Sequence, residues 1–157
     1  MIVLDTAEDW GWWIETWQTI FDSIGISSAD RCFMAFSFGP FIGFWSAFDA
    51  LAHRGCLTIP AGGISTLARL ELMRTSRATV VFCTPSYALH LAESARNEGI
   101  DLRSTCVRTI VVAGERRLHT FIPGDEQAGE NSDEIPGGAV VPWKPPVEGL
   151  VSNHPLL

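Results

Sequence analysis

The sequence predicts an α/β fold: a mostly parallel sheet with flanking helices, followed by a disordered tail. Three observations predict it. Four short apolar runs, at residues 31–38, 56–60, 79–83 and 108–113, alternate with three segments of helical period. The third run, Thr79-Val80-Val81-Phe82-Cys83, is continuous and largely β-branched, as a strand covered on both faces is. Each run also ends at turn-forming residues: Gly39-Pro40, the stretch 60–63, Thr84-Pro85-Ser86 and Gly114-Glu115. Strands linked through helices in this order require right-handed crossovers, which places those four ends along one rim.

In chain order, residues 6–24 read as an amphipathic helix, because Trp10, Trp13, Trp17, Ile20, Phe21 and Ile24 recur at three- and four-residue steps. Thr6 or Asp5 suits its N-cap, and Gly25 its end. The tryptophans read as a helix face packed on the sheet, with a ring-binding surface as the alternative. After the first strand, Pro40 suits the first turn of a helix running to about residue 54, where Gly55 closes it. The short second strand leads to the loop Ala61-Gly62-Gly63-Ile64. Ser65 or Thr66 then caps a helix to about residue 75, with Leu67, Leu70 and Met73 facing inward. A further helix spans 87–98, ended by Gly99, before the fourth strand stops at Gly114-Glu115.

Past residue 115 the character changes. Six of the nine prolines fall there, with scattered glycines and acidic residues at no helical spacing, so 116–157 reads as a linker or disordered tail and 1–115 as the folded part.

Composition excludes several function classes. A formal net charge of −7 without a basic stripe argues against a nucleic-acid partner, which needs clustered Lys and Arg on its phosphates. No uncharged stretch reaches the ~18 residues of a membrane span. Asp5, Glu8 and Asp9 stand where a signal peptide would be basic, so a cytoplasmic location is expected. Cys32, Cys56, Cys83 and Cys106 form no CxxC and read as buried free thiols rather than metal ligands. His53 and His90 have no Ser or Asp partner at a readable spacing, so no triad is expected.

Three places carry candidate chemistry. At the first strand end, Phe38 and Phe41 flank Gly39, so their rings either wall a pocket for a flat apolar acid or belong to the ordinary core. At the third, Ser86 either caps the next helix or helps its N–H groups hold an anion, and Tyr87, the sole tyrosine, sends its hydroxyl toward the rim. At the fourth, Gly114 permits close backbone approach, and Glu115 hydrogen-bonds there or is simply solvated. Gly62-Gly63-Ile64-Ser65 looks like a phosphate loop. It lacks the spacing and lysine of one and reads instead as a turn before Ser65.

The runs FSFGPFIGFWSAFDA, IPAGGISTLARL, VVFCTPSYALHLAE and VRTIVVAGE, in this order and spacing, resemble the phenylacetate–CoA ligase branch of the adenylate-forming enzymes over about residues 5–115. The resemblance implies part of the large N-terminal domain of such an enzyme. It implies activation of an aromatic or other carboxylic acid with ATP and Mg2+ to an acyl-adenylate, and transfer of the acyl group to coenzyme A. It also implies that Phe38, Gly39, Phe41, Ser86 and Tyr87 lie toward the acid substrate, and Gly114 and Glu115 toward the nucleotide.

The departures are specific. The family's SGTTG-type phosphate loop is expected upstream of Asp5. Where the family continues with proline and a helix, Glu115 is followed by Arg116-Arg117-Leu118-His119. No Tyr-Gly-x-Thr-Glu motif follows, and Lys144, the only lysine, does not match the context of the family's catalytic lysine. The expectation is therefore an internal ligase fragment, inactive alone, with a shifted reading frame after Glu115. The alternative is a true short protein: a non-enzymatic ligand-binding or interaction module with an aromatic-lined pocket.

Overall fold

A computed structural model describes residues 5–37, 39, 42–114 and, by backbone pairing, 138–142. Its elements are α1 (Ala7–Ser23), β1 (Arg31–Met34), α2 (Ile42–His53), β2 (Leu57–Pro60), α3 (Thr66–Thr75), β3 (Val80–Cys83), α4 (Pro85–Asn97), a 3-10 turn (Leu102–Ser104), β4 (Thr109–Ala113) and β5 (Gly138–Pro142). The sheet order is β2-β1-β3-β4-β5. The first four strands are parallel, with Cys32 beside both Thr58 and Val80, and Val80 beside Thr109. Strand β5 runs antiparallel to β4 and falls within the stretch read from composition as a tail.

The period-two alternation of strands divides the core into two layers. Cys32, Met34, Phe36, Val80, Phe82 and Val111 face α1 and α2, where Phe21, Ala47, Ala50 and Leu51 meet them. Phe33, Ala35, Val81, Cys83 and Val112 face α3 and α4, against Leu70, Met73, Leu91 and Ala95.

Helix α1 opens with a capping box in which Thr6 and Asp9 satisfy each other's N–H groups, and those bonds hold the Asp9 carboxyl below its usual range. Its stripe packs on α2 as much as on the sheet. Trp10 Nε1 donates to Asp49 Oδ2 at 2.8 Å, Trp17 Nε1 donates to Ser46 Oγ at 3.0 Å, and Arg54 pairs with Asp22. Phe21 is fully buried, edge-on to Phe82. Gly25, Gly55 and Gly99 all take positive φ after their helices, the conformation that favours glycine at a helix end. Helix α3 ends without one, and Arg77 occupies that region at φ 55°.

Five expectations need correction. Strand β1 stops at Met34, not at 38, because β3 leaves the sheet at Thr84-Pro85 and no strand remains to pair past Ala35, whose N–H meets Phe82 O. Helix α4 starts two residues earlier than read, since Pro85 takes the first helical position. Its N-cap is accordingly Thr84, whose hydroxyl accepts from Tyr87 N, and not Ser86. Leu67 is 51% exposed; only Leu70 and Met73 carry α3's inward stripe. Of the thiols, Cys32, Cys56 and Cys83 are buried, whereas Cys106 is exposed.

The N-terminal ends of the strands are bound by one carboxylate. Asp30 is 5% exposed. It accepts from Ser27 N at 2.8 Å, from Thr79 Oγ1 at 2.7 Å and from Arg108 Nη2 at 2.7 Å, with Arg108 Nε 3.3 Å from its other oxygen. Burial pushes its pKa up. The bonds from Ser27, Thr79 and Arg108 outweigh that and hold the carboxyl below its usual range. Loops before β1, β3 and β4 are thereby fixed to each other.

Candidate functional site

The opposite, C-terminal ends of the strands are where the topology leaves an opening. From β1 the chain crosses through α2 on one face to reach β2. From β3 it crosses through α4 on the other face to reach β4. Adjacent strands β1 and β3 therefore send their connections to opposite faces, the arrangement that leaves a ligand crevice at strand carboxyl ends in open α/β sheets.

Aromatic rings and glycines line this opening. Phe36, just past β1, stacks on Phe44 of α2, with centroids 3.8 Å apart and planes inclined by 20°. Trp45, 41% exposed, donates from Nε1 to Gly39 O at 3.0 Å and so holds the turn against the first helical turns of α2. Across the crevice, Gly114 ends β4 with φ +92°, and a Cβ there would lie 3.7 Å from Phe44 Cζ and 3.8 Å from Thr84 Cγ2. Space alone would admit that methyl group, but the backbone conformation disfavours it. Gly39, Phe44, Trp45, Thr84 and Gly114 thus form one neighbourhood, apolar in its side chains and polar in its exposed backbone.

Of the residues singled out in the sequence, Gly39 meets Trp45 and Gly114 lies beside Phe44 and Thr84. Ser86 is exposed in the first turn of α4. Tyr87 is on the other face of the sheet, half-buried, with its hydroxyl 3.3 Å from Thr66 Oγ1 and its ring beneath the Arg69 guanidinium. The reason is the crossover: α4 follows β3 on the α3 side, so its first turn looks toward α3 rather than toward Phe44. Phe38, Phe41 and Glu115 lie outside the described residues. Sequence reasoning missed Phe36, Phe44 and Trp45 as site residues. Their signal was present, since aromatic rings recur on both sides of the Gly-Pro step, but only the nearest pair was chosen.

Other cavities are elsewhere. An apolar void of about 50 Å3 lies between α4 and the sheet, lined by Leu70, Met73, Cys83, Leu91, Leu102 and Val107 among others. It is an imperfection of the core, smaller than a drug-sized ligand site by an order of magnitude. Burial pushes the Cys32 and Cys56 thiols up, so neither is a ready nucleophile. Among the described residues, no cluster of His, Cys, Asp or Glu could hold a metal ion, and no helix is long and apolar enough to cross a membrane.

No family profile matches the chain. Among curated proteins, phenylacetate-coenzyme A ligase of Pseudomonas putida is 27% identical over 106 residues, which is 65% of this chain and 24% of that protein. The enzyme of the same name from Aromatoleum evansii is 26% identical over the same span. Among solved structures, an open conformation of 2-hydroxyisobutyryl-CoA ligase with 2-HIB-AMP and CoA superposes with a TM-score of 0.65 at 26% identity, covering 69% of this chain and 24% of that one. The same ligase in its thioesterification state gives 0.60, also at 26% identity, over 65% and 22%. The chain spans about a quarter of the length of the curated relatives it matches. By sequence and by fold alike, it resembles one segment of the phenylacetate–CoA ligase branch of the adenylate-forming enzymes.

Proposed function

We propose that this chain is a segment of an acid–CoA ligase, and that its strand-end crevice takes the acyl part of a carboxylic acid. One observation carries the reading: Gly114 exposes backbone beside the Phe44 ring while the neighbouring Trp45 holds the Gly39 carbonyl, at the switch point of a sheet that resembles that of a CoA ligase. A flat acid fits such a place. Its ring would contact Phe44 and Trp45, while the glycines leave room and offer backbone groups to the polar end. Similarity to two phenylacetate ligases supports an aromatic acid, and comparable identity to a 2-hydroxyisobutyryl-CoA ligase supports a small aliphatic one, so the proposal is a carboxylic acid, tested first with phenylacetate.

In the whole enzyme, ATP would supply the adenylate that activates the carboxylate, and coenzyme A the thiol that receives the acyl group. Exposed Gly114 suits close approach of a flat nucleotide ring. The described residues offer no Mg2+ ligand cluster, so no step is assigned to that ion. We read residues 1–115 as the ligase-like part; of the stretch 116–157, residues 138–142 pair with β4 as β5. These 157 residues contain neither an SGTTG-type loop nor a lysine in the family's catalytic context. Without those groups, the charge that develops on the adenylate and pyrophosphate has no stabilising partner.

Two measurements test this. Equilibrium dialysis with labelled phenylacetate should show saturable binding that Phe44→Ala weakens severalfold; no saturable binding would sink the acid-site reading. Pyrophosphate exchange by the purified chain with ATP and phenylacetate should stay at the blank. Exchange above it would mean that the chain completes adenylation by itself.

A further inference from the structure

The outer face of α4 carries an apolar stripe together with its own charge complement. Leu89, Ala92, Glu93 and Arg96 recur at three- and four-residue steps and are all exposed, so they form one row along the helix. Leu89 is 64% exposed, more than any other large apolar side chain among the described residues. Beside the row, α4 and the segment after it border an open groove of about 510 Å3, lined by Ala92, Ile100 and Leu102 among others. Among the described residues Glu93 and Arg96 have no ion-pair partner, either in each other or elsewhere. Asp101 and Arg103, at the other wall of the groove, pair with each other and leave no net charge there.

An exposed leucine beside an apolar groove fits an apolar occupant, and the charges say which. Glu93 and Arg96 lie on the same row, one turn apart. A two-fold rotation about an axis crossing the helix between them sets Glu93 of one copy opposite Arg96 of the other, and the reverse. The same rotation turns the two α4 helices antiparallel. It carries Leu89 over Ile100 of the other copy, at the groove, since Leu89 precedes Glu93 by as many residues as Ile100 follows Arg96. The small side chain of Ala92 lets the helices approach closely. An isologous contact requires this self-complementarity, in which each feature of the patch finds its match on the same patch. The exposed Trp12 fails that condition. Its neighbours on the α1 surface, Glu8, Asp9 and Glu15, are all acidic, so two such faces repel each other in a chain of net charge −7. We propose that two copies of this chain associate through α4, with Leu89 of each in the groove of the other and reciprocal Glu93–Arg96 pairs at its rim. This surface is remote from Phe36 and Phe44 on the opposite face of the sheet, and the inference does not depend on the acid-binding reading.

The test is sedimentation equilibrium of the full chain over a concentration series. A contact on one helix face is small, so a Kd of about 10 µM is expected, with a mass approaching the dimer's at about 100 µM. Glu93→Arg sets like charges against each other at both pairs, and Arg96→Glu does the same. Each should weaken association at least about tenfold. Mixing the two variants separates charge pairing from any other effect of the substitutions. One Glu93→Arg copy and one Arg96→Glu copy regain opposite charges at both contacts, so the mixture should associate about as tightly as wild type. Leu89→Ser leaves the charges alone and should also weaken association at least about tenfold, the scale of exposing a buried leucine. All three positions are exposed, and circular dichroism checks that each variant folds. If one reversal does not fold, the other and Leu89→Ser carry the test. A monomer at about 100 µM, folded variants that associate like wild type, or a mixture no tighter than its two components alone would each overturn the proposal.

Discussion

The two ends of the parallel sheet are built on different principles. At the N-terminal end, Asp30 is buried and its carboxylate accepts hydrogen bonds from Ser27 in its own loop and from Thr79 and Arg108 in two others. At the C-terminal end, the contacts are ring stacking and two glycines, with Trp45 substantially exposed. The first end is closed and satisfied, so it adds stability and leaves nothing for a ligand to complete. The second keeps backbone and aromatic surface open at the place where the crossovers diverge. The proposed acid site is thus separated from the Asp30 cluster by about the length of a strand.

The sharpest way to break that contrast is to remove Asp30. Asp30→Ala strands the Arg108 charge and two donors. It should cost roughly 2–3 kcal/mol, at the low side for a broken buried pair because Arg108 is 43% exposed. Urea denaturation measures it, and a loss under about 0.5 kcal/mol, the range of ordinary surface changes, would contradict the account of this end. At the other end, Phe44→Ala removes one ring of the Phe36 stack. A loss of about 1–2 kcal/mol is expected, less than a fully buried Phe because this ring is only half-buried, together with the acid-binding defect above.

Acidity should separate the ends further. The folded Asp30 pKa is depressed, so between that value and the unfolded carboxylate value near ~3.9 the unfolded chain binds more protons. The stability Asp30 contributes is fully present above that unfolded value and is lost as pH falls through the folded one. The urea midpoint of Asp30→Asn should therefore fall less steeply than wild type as pH drops below about 4, whereas Phe44→Ala should keep the wild-type slope. The smallest effect is expected at Arg77, beside the closed end, where a non-glycine residue holds φ 55°. Arg77→Gly should raise stability by about 0.5–1 kcal/mol, since glycine has no Cβ to strain there.

Much of the scaffold was legible because its signals are local. Gly25, Gly55 and Gly99 end their helices as read, and the continuous Val80–Cys83 strand sits in the middle of the sheet. The closed end was not legible. Its partners are 49 and 78 residues apart, and nothing near Asp30 in the sequence marks it as the hub. The strand end at Met34 depends on where β3 departs, which is again a tertiary fact. Gly39 and Gly114 were singled out because turns need them. Tyr87 was read as sending its hydroxyl toward the rim; that this happens on the α3 face, beside Thr66, was not legible, because spacing reports that a helix begins, not which face of the sheet it covers.

The central claim, that the C-terminal rim is the functional end, is tested most directly by mapping amide shifts while phenylacetate is titrated into the full chain. The account predicts saturable shifts at Gly39, Phe44, Trp45, Thr84 and Gly114, with Ser27, Asp30, Thr79 and Arg108 unmoved. Shifts centred on the Asp30 end, or none at the rim at saturating acid, would contradict it.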